Sequence, residues 1–290
     1  MRLWPTRTNR IYRSDASGKE KEPVHSGGPR VIAVTSGKGG VGKTSLSVNL
    51  AISLAQTGQR VSIFDADLGM ANVELLMGLV PPYSLYEVLY GDKTVDEVTV
   101  QGPLNINIIP GGSGFLEMAN MDRTRRQQLL IMLNNFSSRY DFVIIDTGAG
   151  INKNVLGFVA AAGEVIVMIT PEPTSLTDAY ALIKVLDNFK VHSEVNVVVN
   201  QALDRREAMR TIGKVQAAVN RFLKIKLNVL GWIPADKIIS HSIKSQQPFL
   251  LANPDAPASR SVAGITEVLL HGDVTASENG FWGKLIGLFS

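Results

Sequence analysis

The segment Gly37-Lys38-Gly39-Gly40-Val41-Gly42-Lys43-Thr44 has the glycines, lysines and hydroxyl of a phosphate-binding loop at the required spacing. Glycines let consecutive backbone N–H groups turn inward and approach phosphate oxygens that side chains would block. A β-branched run at 31–36 precedes the loop and a helical pattern at 43–57 follows it, so the loop also opens a helix N-terminus with its partial positive charge. In that setting Lys43 is expected to reach the β- and γ-phosphates and Thr44 to ligate Mg²⁺, with Ser45 completing the nucleotide contacts.

Carboxylates stand at two further strand ends. Phe64-Asp65-Ala66-Asp67 closes the strand pattern that begins at 59, and Asp146 closes Phe142-Val143-Ile144-Ile145. Ligands of parallel α/β sheets bind beyond the carboxyl ends of the strands, where these side chains belong. Taken singly, each aspartate could be a helix cap or a turn residue. Placed together after two strands, with the phosphate loop after a third, they read as a metal and switch region. Thr147-Gly148-Ala149-Gly150 follows Asp146 as a flexible turn suited to sensing a terminal phosphate, with Gly148 at its centre.

These groups need a frame. The 290 residues are 45% hydrophobic and 19% charged, enough to bury the core of a large α/β domain. Further strand patterns lie at 105–109, 165–169, 195–199 and 227–233, and helical patterns at 123–136, 176–189, 208–222 and 260–270. Their alternation predicts a doubly wound, mostly parallel sheet with helices on both faces. Cysteine is absent, which excludes disulfides, thiolate metal sites and iron–sulfur clusters. No apolar run is long enough to span a bilayer, and a cytoplasmic location is expected. The formal charge is +3, but residues 1–30 hold seven Lys/Arg against three carboxylates. The globular body therefore offers no general basic surface for nucleic acid. The division expected is a disordered basic tail at 1–30, a nucleotide-binding domain at 31–272, and a linker with a terminal helix at 273–290.

Lys38 is a second lysine inside Lys-Gly-Gly-Val-Gly-Lys-Thr, and this run resembles the deviant Walker-A family of ATPases, the MinD/ParA group. Asp65-Ala66-Asp67-Leu68-Gly69-Met70-Ala71-Asn72-Val73, Pro110-Gly111-Gly112-Ser113-Gly114 and the Thr170–Tyr180 segment Thr-Pro-Glu-Pro-Thr-Ser-Leu-Thr-Asp-Ala-Tyr resemble its FlhG/FleN/YlxH branch. The resemblance runs from about 31 to 270. It implies a homodimer sandwiching ATP, in which Lys38 reaches the phosphates held by the neighbouring subunit and acts as an arginine finger does. It further implies that Asp67 orients the attacking water, that Thr44, Asp65 and Asp146 serve Mg²⁺, and that Asn200, Pro234 and Asp236 surround the adenine. Many relatives carry Arg where this chain has Gln201. Members of the branch often begin with a short Asp-Gln-Ala helix acting on the GTPase FlhF; residues 1–30 contain nothing like it, which weakens that partnership while flagellar switch proteins stay in view.

At the C-terminus Phe281, Trp282, Leu285, Ile286, Leu288 and Phe289 fill an arc of roughly 160° when placed at about 100° per residue. After a polar linker such an arc suits an amphipathic helix lying in the inner face of the cytoplasmic membrane. Alternatively the helix packs back onto its own domain or onto a partner. The resulting expectation is an ATP-hydrolysing dimerisation switch that visits the membrane and regulates flagellar number or placement. The rivals are a ParA-like DNA-partition ATPase, a MinD-like division-site regulator and a non-hydrolysing nucleotide-gated scaffold.

Overall fold

The computed structural model describes residues 28–67, 72–111, 123–271 and 280–288. The basic segment 1–27, residues 68–71, the stretch 112–122, the linker 272–279 and the last two residues lie outside them. The strand and helix patterns read from the sequence appear in place. β1 (Arg30–Ser36) runs into α1 (Lys43–Gln56), then β2 (Val61–Ala66), α2 (Val73–Leu76), α3 (Leu85–Tyr90), α4 (Val95–Val98), β3 (Val100–Gln101) and β4 (Asn107–Ile109). The chain continues through α5 (Arg123–Ser137), β5 (Phe142–Ala149), α6 (Lys153–Ala161), β6 (Glu164–Ile169), α7 (Pro173–Asn188), β7 (Glu194–Ala202), α8 (Arg205–Phe222) and β8 (Lys226–Pro234). It ends in α9 (Lys237–Ser245), α10 (Phe249–Ala252), α11 (Pro257–His271) and α12 (Phe281–Leu288).

The strands form one sheet in the order β3-β4-β2-β5-β1-β6-β7-β8. Every pairing is parallel except β3 with β4. The central strands are uninterrupted Val/Ile runs because helices cover both faces. One core joins the sheet to α1, α10 and α11; the other joins it to α3–α8 and α12. Arg30, assigned from the sequence to the tail, instead opens β1. Its guanidinium bridges both carboxylate oxygens of Glu164 at 2.7 and 2.8 Å and donates to the Leu269 carbonyl.

The C-terminal helix takes the alternative the sequence left open and packs back onto its own domain. Phe281, Trp282 and Leu285, expected on a lipid-facing arc, are buried in the protein, and Leu288 is exposed. The Ile286 side chain and Phe289 lie outside the described residues. α12 lies against α5 and α6, and the Trp282 indole meets Phe64 of β2 edge-on at 5.4 Å. The indole Nε1–H donates to Ser137 Oγ at 2.7 Å. An apolar arc needs a dry partner, and here the groove between α5 and α6 supplies one. The serine also meets the ring's one polar atom, which lipid tails would leave unpaired.

Candidate functional site

β1 delivers the phosphate loop to the carboxyl end of the sheet. Gly42 occupies the N-cap of α1 with φ +98°, a left-handed conformation that favours glycine. No side chain caps the helix and its first turn holds no acidic residue, so its N–H groups and partial charge face the loop. Lys43 is buried within this turn, and burial lowers its pKa against the opposing pull of Asp146 and Asp67. A buried ammonium facing two carboxylates is a strong anchor for phosphate once substrate enters.

The parallel register of β2 on β5 sets Asp65 directly beside Asp146. Both are 1% exposed. Asp65 is held by backbone N–H groups: Asp67 donates to Oδ1 at 3.0 Å, and Asn72 and Val73 donate to Oδ2 at 2.9 and 3.2 Å. Burial, reinforced by the nearby Glu74 carboxylate, still pushes its pKa up to about 7. Asp146 accepts from Ser47 Oγ at 2.8 Å and from the Thr44 hydroxyl, while burial and Asp65 push it up to about 7 as well. Its Oδ2 is buried without a donor. Among the described residues no three His, Cys, Asp or Glu side chains close on one point as an all-protein metal cage would. Magnesium keeps much of its water shell and uses one or two carboxylates plus phosphate oxygens, so Thr44, Asp65 and Asp146 fit it as an all-oxygen set.

Asp67 stands at the mouth of this region, with Asn72 Nδ2 3.5 Å from its Oδ2. Gly148 faces it: a Cβ added there would come within 3.5 Å of Asp67 Oδ1. β5 runs on through Ala149, so Gly148 is a strand-end residue and the turn comes at Gly150, later than the sequence suggested. Lys38 reaches from the phosphate loop to the start of α7. Its ammonium is paired with Glu172, the residue preceding α7, and lies 3.1 Å from Thr174 Oγ1.

A pocket of about 530 Å³ opens beside the loop, lined in part by Gly40, Gly42, Ser45, Asn200, Pro234 and Asp236. The three residues expected around adenine therefore do converge, although two of the side chains are occupied. Asn200 Nδ2 donates to the Val41 carbonyl at 2.8 Å while its Oδ1 accepts from Gln201 N at 2.9 Å. Asp236 caps α9 through Ile238 N and receives Ala258 N. Their first effect is to brace the phosphate loop and the pocket wall. Gln201 takes a left-handed φ of 60°.

Sequence reasoning missed Ser47 and Glu74, and read Gly111 only as part of a family motif without a structural role. Ser47 stands one helical turn after Lys43, a spacing that could have flagged it. A Cβ at Gly111 would collide with the Asp65 carbonyl, so that glycine lets the chain pass close over the end of β2.

Comparison with known proteins agrees with this geometry. Residues 29–201 match a family model described as an AAA domain. The chain is 39% identical over 238 residues to the antiactivator FleN of Pseudomonas aeruginosa, covering 82% of this chain and 85% of that protein. It is 30% identical over 247 residues to the flagellum site-determining protein YlxH of Helicobacter pylori, covering 85% and 83%. Among solved structures, the septum site-determining protein MinD of Pyrococcus horikoshii, complexed with Mg-ADP, shares the fold. Its TM-score is 0.67 at 24% identity, over 83% of this chain and 96% of that one.

Proposed function

The chain belongs to the FleN/YlxH branch of the MinD/ParA family of ATPases and hydrolyses ATP, and from that membership we propose that it is a nucleotide-driven dimerisation switch governing flagellar number or placement. Lys43 and the loop amides would hold the phosphates, and Thr44, Asp65 and Asp146 would hold Mg²⁺, which when bound would supply charge neutralisation for phosphoryl transfer. Asp67, facing Gly148, orients the attacking water. Lys38 exchanges Glu172 for the phosphates bound by a second copy of the chain.

The single observation that carries the switch is the seat of α12. Trp282 rests on Phe64, the residue before Asp65, and Phe64 in turn meets Phe158 of α6 at 5.7 Å. α6 follows the Gly148 segment in sequence. The strand that ends at Asp65–Ala66 and the helix that follows the Gly148 segment therefore both line the groove that holds the C-terminal arc. A small shift of either on ATP binding unseats the helix, since a close-packed groove switches between discrete arrangements. The freed arc then binds the inner face of the membrane, and two copies in a dimer bind with higher avidity. Among the described residues no helix is long and apolar enough to cross a membrane, so the association is peripheral.

The test measures molecular size and vesicle sedimentation in ADP and in ATP. The expected result is a monomer off the vesicles in ADP and a dimer on them in ATP. Equal sedimentation in both nucleotides would make α12 a constitutive anchor, and none in either would make it a structural helix.

A further inference from the structure

The short helix α2 is solvated the wrong way round. Glu74 is 1% exposed while its neighbour Leu75 is 53% exposed. Both carboxylate oxygens of Glu74 are sealed from solvent, and the polar groups nearest them are the Asp65 carboxyl and its own backbone N–H. Burying a carboxylate against a second carboxylate with no cation beside it is strongly destabilising, and an apolar residue would fill the same space without that cost. The group lies against Asp65 and within electrostatic reach of Asp146, whose own Oδ2 lacks a donor. Three buried carboxylates thus gather where Lys43 is the buried cation facing Asp146. The donors present go to Asp65 and to one oxygen of Asp146, and Lys43 is one positive charge against three carboxyls. A hydrated divalent cation supplies the missing charge and brings donors of its own.

We propose that Glu74 is a positioning residue for the magnesium of this site, standing behind Asp65 and supplying the third negative charge that the hydrated ion neutralises. The proposal rests on the nucleotide-site reading. Val73 N donates to Asp65, so α2 and the carboxylate move together. Metal occupancy is thereby linked to the position of α2. Residues standing behind a metal's ligands commonly set affinity by a factor of ten to a hundred, on the order expected here.

The experiment uses the full chain saturated with ADP, and Mn²⁺ as a paramagnetic probe titrated against it, with Mg²⁺ competition giving the natural ion's affinity. Glu74→Gln keeps the shape and removes the charge, and should weaken Mg²⁺ binding about tenfold or more. Glu74→Asp keeps the charge and should recover most of the loss. Melting in EDTA should show Glu74→Gln at least as stable as wild type, because an uncompensated charge has gone. Wild-type Mg²⁺ affinity in Glu74→Gln would overturn the proposal, as would a Glu74→Gln chain that fails to fold in EDTA, which would make the carboxylate structural. If the wild-type chain itself takes up no ADP, the nucleotide-site reading fails first, so the two failures are distinguishable.

Discussion

At the scale of single residues, the two lysines of the phosphate loop differ in setting: Lys43 is buried beside Asp146, whereas Lys38 pairs with Glu172 at the start of α7. Lys43 is buried in its own site, so Lys43→Ala should abolish ATP binding, measured by equilibrium dialysis or calorimetry. Asp67→Ala should keep ATP and slow turnover by about a hundredfold or more, because the water loses its orienting base. Lys38→Ala should weaken dimerisation and hydrolysis while sparing monomer nucleotide affinity, because its ammonium is spent on Glu172 and Thr174 in the single chain. Mixed dimers of Lys38→Ala with Asp67→Ala chains should regain turnover at the one site holding an intact Asp67 and a donated Lys38. Silence from confirmed mixed dimers would place Lys38 in its own subunit's chemistry. The phosphate loop was legible because its residues are contiguous in sequence. The Asp65–Asp146 pairing depended on the register of two strands 81 residues apart in the chain, though their strand-end positions hinted at it. Glu74 was not legible at all: Val-Glu-Leu-Leu in isolation reads as a helix with its carboxylate in water.

At the scale of elements, the long strands and helices followed from their apolar periods, whereas α2, α3 and α4 are too short to show one. Capping boxes at Ser84/Glu87 and Thr94/Glu97 were the available signal for the latter two. α12 is the instructive case, since its arc was plain and its cover was not: periodicity reports that a face must be dry and is silent on whether lipid or protein dries it. The seated helix separates two effects that deletion confuses. Trp282→Glu puts a charge in the centre of the arc and should abolish both seating and vesicle binding. Ser137→Leu instead removes the indole's acceptor and crowds the groove while leaving the arc intact. That variant should lower the melting temperature and raise vesicle sedimentation in ADP toward the ATP level. Unchanged ADP-state sedimentation, with the melting temperature lowered, would mean that release of α12 is not what limits membrane binding.

At the scale of the whole molecule, the buried acids make stability depend on pH and ligand together. Burial raises Asp65 and Asp146 from an ordinary value of 3.8 to about 7. Between about pH 4 and 7 the folded chain therefore holds protons that the unfolded chain has released. By linkage, stability present at low pH is lost as pH rises through the folded values. Hydrated Mg²⁺ with nucleotide reverses the sign of the problem, because it prefers both carboxylates ionised and adds its own binding free energy to the folded state. In EDTA without nucleotide the melting temperature should accordingly fall between pH 5 and 8, after allowance for the remaining titrating groups. The stabilisation by Mg-ADP should grow over the same interval. Asp146→Asn serves as the control, since it removes one of the titrating groups and should flatten the EDTA curve while reducing the gain from Mg-ADP. A gain from Mg-ADP that is the same at pH 5 and pH 8 would mean that these carboxylates are already ionised in the empty chain, with a counter-charge other than the metal to hold them.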